Sequence, residues 1–408
     1  MLAAASALVI LFSSCNKELE QMPDIVTPPV SGPSLDQVLA GNADDSLYYK
    51  MVRRIGLNAA IGDNSKFHTM FVPNNAGLKP VLSAIAAQAG ITLPSNAPDA
   101  YFSAFIDQMP VSVIGGLVAY NTVPQMLKST DIAPSFPNFI YPTILNPSPS
   151  TQTLLGPVVR LAVYPSTTNG AWLNNVPLTG VDQMAGNGVI HHTATLNVPG
   201  QRYLWDRISN DPQLTYLKAA IQRADSGVVA SSSLQGYLSS FGPDFTVFAP
   251  VDTAFKSTLT ALIAQGLINQ GLPLQIALAT ATALASTPNV FTNPLLATTL
   301  TPQTVKGLVV YHVMGVRAYT NNFTTTETAY PTLLTAQLPT QPKLKIKTNF
   351  VSPYPFVASM TVKDVYNNSP AANVILNSTP LTPDPIGSSD QQFVNGVLHK
   401  IDRVLLPQ

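Results

Sequence analysis

The chain has 408 residues, enough for two or three domains and a large core, and its 21 basic and 21 acidic side chains cancel. Only 10% of residues are charged, where about a quarter is usual, and 46% are apolar, so Ser, Thr, Asn, Gln and backbone must wet the surface. That balance argues against a nucleic-acid partner and against electrostatic attraction to a membrane, and with 36 prolines it fits a neutral, loop-rich extracellular protein.

The chain opens on an apolar stretch, residues 2–12, ended by Ser13-Ser14. This has the apolar core of a secretory signal and is too short to span a bilayer. Cys15, the single cysteine, follows at once. Leu11-Phe12-Ser13-Ser14-Cys15 resembles a bacterial lipobox, in which the signal is cut before the cysteine and the thiol receives a diacylglycerol. Residues 1–15 then form a lipoprotein signal peptide, with Cys15 as the lipidation site and an N-terminal lipid anchor holding the protein to a membrane. No Lys or Arg lies between Met1 and Cys15, which leaves open a start upstream of Met1. Residues 16–33 read as a Pro-rich tether. Within it, Lys17-Glu18-Leu19-Glu20 resembles export signals for the outer face of some Gram-negative outer membranes, and reads equally as a solvated linker. The expected location is the cell envelope, lipid-anchored, at the outer membrane and surface-exposed.

From residue 34 onward four anchors recur in the same order. Leu35-Asp36-Gln37-Val38-Leu39 and Leu204-Trp205-Asp206-Arg207-Ile208 each open a copy with a helical pattern. His68-Thr69-Met70-Phe71-Val72-Pro73 and Phe245-Thr246-Val247-Phe248-Ala249-Pro250 read as short buried strands stopped by proline. Each runs straight into a helix, with Asn75 and Asp252 expected as N-caps. Gly116-Leu117-Val118-Ala119-Tyr120-Asn121 matches Gly307-Leu308-Val309-Val310-Tyr311-His312. Asn187-Gly188-Val189-Ile190-His191 matches Asn395-Gly396-Val397-Leu398-His399, a turn signal feeding a strand. The duplication divides the chain into a first domain, 34–199, and a second, 200–408. The second copy is longer between its anchors, and the extra length is expected at residues 287–302 and 354–385, as binding loops or as filler. Residues 158–163 read as a strand and residues 275–286 as a buried helix. Lys343-Leu344-Lys345-Ile346-Lys347 reads as a strand whose outward lysines guard an edge. Each copy starts helical and ends as a sheet, so an α+β fold with antiparallel strands is expected.

These residues carry a family resemblance. Phe245-Thr246-Val247-Phe248-Ala249-Pro250, followed by Asp252 and Ala254-Phe255, resembles the first box of the fasciclin-like domain. The run from Asn395-Gly396-Val397-Leu398-His399-Lys400 to Pro407 resembles its second box, and Tyr311-His312 matches the Tyr-His pair between them. The first copy is degenerate: Asn121 replaces the histidine of the pair, and His192-Thr193-Ala194 stands where the second copy has Lys400-Ile401-Asp402. The resemblance implies two fasciclin-like domains, each a β-sandwich-type wedge with helices packed alongside. It also implies extracellular adhesion to protein, matrix or carbohydrate without catalysis or cofactor, and a candidate binding pair at Tyr311 and His312.

The other polar candidates read more simply. His191 and His192 are neighbours on a strand, face opposite ways and cannot grip one metal; His399 shares a face with Val397 and Ile401 and reads as an inward histidine bonded to backbone. Asp252 reads as a cap and Asp402 as a partner of Arg403. No catalytic motif is visible, so no enzyme is expected. Trp172 reads as able to stack on sugars and Trp205 as core. The expected partner is an extracellular protein or a polysaccharide. The alternative is an accessory carbohydrate-binding lipoprotein of an outer-membrane uptake system, using Tyr330, Tyr354 and Phe356 as its platform.

Overall fold

The computed structural model describes residues 31–146, 160–351, 356–366, 369–379 and 387–407. Cys15, the signal segment, most of the tether, part of the strand expected at 158–163 and Tyr354 lie outside the described residues.

Two copies of one α+β arrangement follow each other. In the first, the strand His68–Pro73 pairs in parallel with Gly188–Thr193, and the edge strand Thr122–Val123 lies antiparallel on its other side. In the second, Phe245–Pro250 pairs in parallel with Gly396–Ile401 and antiparallel with Val313–Met314. The register is the same in both: His68 faces Gly188, and Phe245 faces Gly396. The expectation of purely antiparallel strands is therefore corrected. The strand that opens each copy and the one that closes it run side by side in the same direction, because the helices between them carry the chain back.

The Asn-Gly pairs show why this register is fixed. A Cβ on Gly188 would collide with the His68 carbonyl, and one on Gly396 with the Phe245 carbonyl. The asparagines before them are buried clamps. Asn187 Oδ1 accepts from Leu35 N at 2.8 Å, and its Nδ2 donates to Ile61 O at 2.8 Å. Asn395 Oδ1 accepts from Leu204 N at 3.0 Å, and its Nδ2 donates to Leu238 O at 2.9 Å. Each satisfies an orphan N–H at the start of the opening helix, Leu35–Gly41 or Leu204–Asn210.

Asn75 and Asp252 also cap, but not their own helices. The cap of helix Asn75–Gln88 is Asn74, which accepts from Gly77 N; Asn75 instead accepts from Leu47 N at the start of helix Ser46–Arg54. Helix Asp252–Asn269 begins at Asp252 itself, and that carboxylate accepts from Tyr216 N and Thr215 Oγ1 at the start of helix Thr215–Ala224. Both side chains sit two residues after the strand proline and lock a strand-helix joint to the neighbouring helix.

Each helical layer packs on one face of its own sheet around an apolar core, centred on Met51, Leu82 and Ile190 in the first copy and on Leu217, Phe255 and Leu398 in the second. The second copy adds a four-stranded antiparallel sheet in the order Thr328–Tyr330, Leu344–Val351, Phe356–Lys363, Ala372–Asn373. Lys345 and Lys347 do point outward, but their strand is paired on both sides and guards no edge. Asp402 accepts from Asn373 N and Nδ2 at 2.7 and 2.8 Å, which ties that sheet to the closing strand in place of the expected pair with Arg403.

Candidate functional site

Tyr311 is the last residue of helix Pro302–Tyr311 and His312 is its C-cap, so the pair ends a helix. Both side chains are buried. His312 Nδ1 lies 2.9 Å from Leu308 O, while Nε2 accepts from Leu405 N at 2.9 Å, so the imidazole fastens the helix end to the C-terminal segment. Burial pushes its pKa down to about 4, against the opposing pull of the Leu308 carbonyl. Asn121 does the same work in the first copy, donating from Nδ2 to Leu117 O at 2.8 Å and to Asn197 O at 2.7 Å. The Tyr311 ring is packed in the core between the second domain's two sheets, and burial pushes its hydroxyl well up. Neither side chain stands on a surface.

His191 and His399 anchor a second repeated device. Each imidazole stacks on the phenylalanine of the neighbouring strand, Phe71 or Phe248, with ring centroids 5.4 and 5.7 Å apart. Each Nε2 meets a loop carbonyl, Leu127 O at 2.8 Å or Ala318 O at 3.0 Å, and each Nδ1 accepts a backbone N–H, from Asp182 or Asp390. Those two aspartates have positive φ, 58° and 53°, and their carboxylates cap the Ser129 and Thr320 turns. Thr69 and Thr246 bind the same loops by matching pairs of bonds. The inward reading of His399 holds. The aspartates escaped sequence reading because nothing local marks a residue that is held in place by a distant turn.

Between the domains lies a buried polar seam. Gln392 Nε2 donates to Tyr120 Oη at 2.6 Å and to Val198 O at 3.1 Å, while its Oε1 accepts from Tyr319 Oη at 2.7 Å and from Asn174 Nδ2 at 2.8 Å. Tyr164 Oη donates to Asp244 at 2.6 Å, Arg317 Nε donates to the other oxygen of that carboxylate at 2.6 Å, and the guanidinium lies 4.9 Å from the Tyr164 ring centre. Burial pushes the Tyr164 hydroxyl well above its ordinary value, and Asp244 adds to that. Asn169 donates to Asn321 O and Phe323 O, both at 2.8 Å. The seam opens into a cleft of about 210 Å³, whose lining includes Ile140, Arg160, Tyr164, Phe241, Asp244 and Arg317.

A third feature is the helical hairpin of the second domain, Asp252–Asn269 and Leu274–Leu284. The expected buried helix is buried only through Ala277, Ala281 and Ala285; Leu274 and Ile276 are 56% and 55% exposed, and Leu262 and Leu278 are exposed as well. From residue 257 to residue 305 the sequence holds no Asp, Glu, Lys, Arg or His. That gap was readable in the sequence, but composition averaged over the whole chain hides it.

Of the expected aromatic platform, Tyr330 and Phe356 are described. Tyr330 is buried against Phe136 and Phe323, at 4.7 and 5.1 Å between ring centres, and Phe356 is half-buried. Trp172 is buried, with its Nε1 donating to Asn169 O at 2.9 Å, and Trp205 packs on the second core. Among the described residues no single helix is long and apolar enough to cross a membrane.

These features define a tandem pair of α+β domains, each closed by a parallel strand pair and joined to the other by side-chain hydrogen bonds. Residues 223–407 match the family model of the fasciclin domain, a stretch that contains both boxes and the Tyr311-His312 pair. Fasciclin domains are associated with cell adhesion and protein binding and are generally non-catalytic. Among solved structures the chain is similar to a FAS1 domain pair from the insect cell adhesion molecule fasciclin I, at 13% identity over 88% of this chain and 95% of that one, with a TM-score of 0.32. No curated protein matches the chain.

Proposed function

We propose that this is a non-catalytic adhesion protein of the cell envelope, lipid-anchored through Cys15, that binds an extracellular protein through the uncharged hairpin of its second domain. The exposed Leu262, Leu274, Ile276 and Leu278 carry this reading. Exposed aliphatic side chains on a stretch of sequence with no charge are costly to leave in water and are what protein partners cover; Leu274 and Leu278, one helical turn apart, share a face. It sits in the part of the chain that matches the fasciclin domain. Many anchored copies on one membrane would add avidity to a weak single contact.

The test is binding of the immobilised protein to a panel of extracellular proteins and polysaccharides, with Leu274→Asp/Leu278→Asp as the variant. The expected result is binding to protein, weakened roughly tenfold or more by the variant, since each buried leucine contributes about 1.5–3 kcal/mol. Protein binding that survives the variant unchanged removes the hairpin from the reading, and glycan-selective binding moves it to the accessory carbohydrate-binding alternative. Cys15→Ser is expected to move the protein from the membrane fraction to the soluble one.

A further inference from the structure

The cleft along the domain seam lies apart from the hairpin and is not needed for adhesion through it. It is built from both domains: Ile140, Arg160 and Tyr164 come from the first, Phe241, Asp244 and Arg317 from the second. Its volume of about 210 Å³ is below the range of about 300–1,000 Å³ that drug-sized ligands occupy, so it takes one ring with its substituents. Phe241 and Ile140 are 46% and 59% exposed and offer an apolar wall. The charges are unequal, with two guanidinium groups against one carboxylate. Arg317 is committed to Asp244 and to Val394 O. Arg160 has a single bond of 3.4 Å to Thr143 O and no carboxylate partner among the described residues.

An apolar wall, hydrogen-bonding groups fixed by the seam and a guanidinium with no carboxylate partner among the described residues are complementary to a ring that carries hydroxyls on its edge, C–H groups on its face and a carboxylate. We infer that the interdomain cleft binds an acidic sugar ring, with Arg160 pairing its carboxylate and Phe241 covering its apolar face. Planar guanidinium-to-carboxylate pairing fixes orientation as well as affinity, which a lysine in that place would not do. The assignment does not rest on the adhesion reading, and the substitutions that test the hairpin lie outside the cleft.

The experiment titrates the protein with D-galacturonic acid and its trimer, with glucose, acetate and a tri-glutamate peptide as controls, followed by calorimetry and ligand-observed NMR. Arg160→Gln and Phe241→Ala are the variants, both at exposed positions, and thermal melting checks their fold. The expected result is binding of the acidic sugars that weakens by roughly tenfold or more in Arg160→Gln, is reduced in Phe241→Ala and falls as salt rises, with glucose and acetate much weaker. The assignment is overturned if neither acidic sugar binds at millimolar concentration, if Arg160→Gln binds like the parent, or if acetate or the peptide binds as well as the sugars. Leu274→Asp/Leu278→Asp leaves sugar binding unchanged, so loss of one function is distinguishable from loss of the other.

Discussion

The two domains build the same joints with different residues. At the helix end before the edge strand, His312 and Asn121 both tie a helix carbonyl to the C-terminal segment. In the closing strand, Lys400 is buried and pairs with Asp211 at 2.7 Å, while His192 at the same register position pairs with Asp45 at 3.1 Å. Asn187 and Asn395 are identical in role, and so are Thr69 and Thr246. The two tyrosines differ: Tyr120 reaches the seam and joins Gln392, whereas Tyr311 is packed in a core. The motif residues that survive in the first domain are those whose geometry only one side chain meets. Those that differ sit where another side chain can make the corresponding joint, to the C-terminal segment for His312 and Asn121 and to a buried carboxylate for Lys400 and His192. Much of what looks like a binding signature is therefore a record of buried hydrogen bonds.

The comparison breaks first at the charged joint. Asp211→Ala would leave Lys400 buried without its carboxylate and is expected to cost about 3–5 kcal/mol. Asp45→Ala in the first domain is expected to cost only about 1–2 kcal/mol, because the His192 side chain is partly open to water, which can replace the lost partner. Urea unfolding of the two variants measures both, and equal losses would show that the joints are not alternatives for one another.

The asparagine clamps should behave alike. Asn395→Ala and Asn187→Ala each leave a helix N–H and a carbonyl buried without partners, for an expected loss of about 2–4 kcal/mol in either domain. A large difference between them in denaturant midpoints would mean that one domain has another way to satisfy its opening helix.

The seam tests whether the domains act as one unit. Gln392→Ala removes four bonds between or beside them and is expected to cost about 1–3 kcal/mol. It should also split a single calorimetric transition into two. One unchanged transition would place the coupling elsewhere.

The smallest effect belongs to the pair singled out from sequence. His312→Asn copies the first domain and is expected to cost less than about 1 kcal/mol, against about 2 kcal/mol for His312→Ala. It should also change the pH dependence. His312 has a folded pKa of about 4, below its unfolded value, so the unfolded chain takes up the proton first. The stability is present above about pH 6.5 and is lost as the pH falls toward the folded value, by about 1 kcal/mol between pH 7 and pH 5.5. The variant should lose that part of the slope while His68, His191 and His399, shifted the same way, keep theirs. An unchanged slope would show that His312 does not titrate on unfolding.

Sequence reading located the duplication, the two boxes and the inward His399, because each is local: a period-two strand ended by proline, an Asn-Gly turn, an alternating face. It misassigned Asn75 and Asp252, which look like caps of the helices they begin but cap their neighbours. Adjacency in sequence cannot reveal which helix end lies nearby in space. It placed Tyr330 on a surface, where Phe136 of the other domain covers it. It did not foresee the seam or its cleft, whose residues are scattered from Tyr120 to Val394.

The two-copy α+β fold and the near absence of charge are legible along the chain, since backbone propensity, turn chemistry and residue count all act locally. Which polar residues became joints and which became surface was set by long-range packing. A tyrosine or histidine has the same letter in both settings; its partner and its burial are fixed by segments distant in sequence, 64 residues away for His191 and 272 for Tyr120, that meet only when the chain is folded.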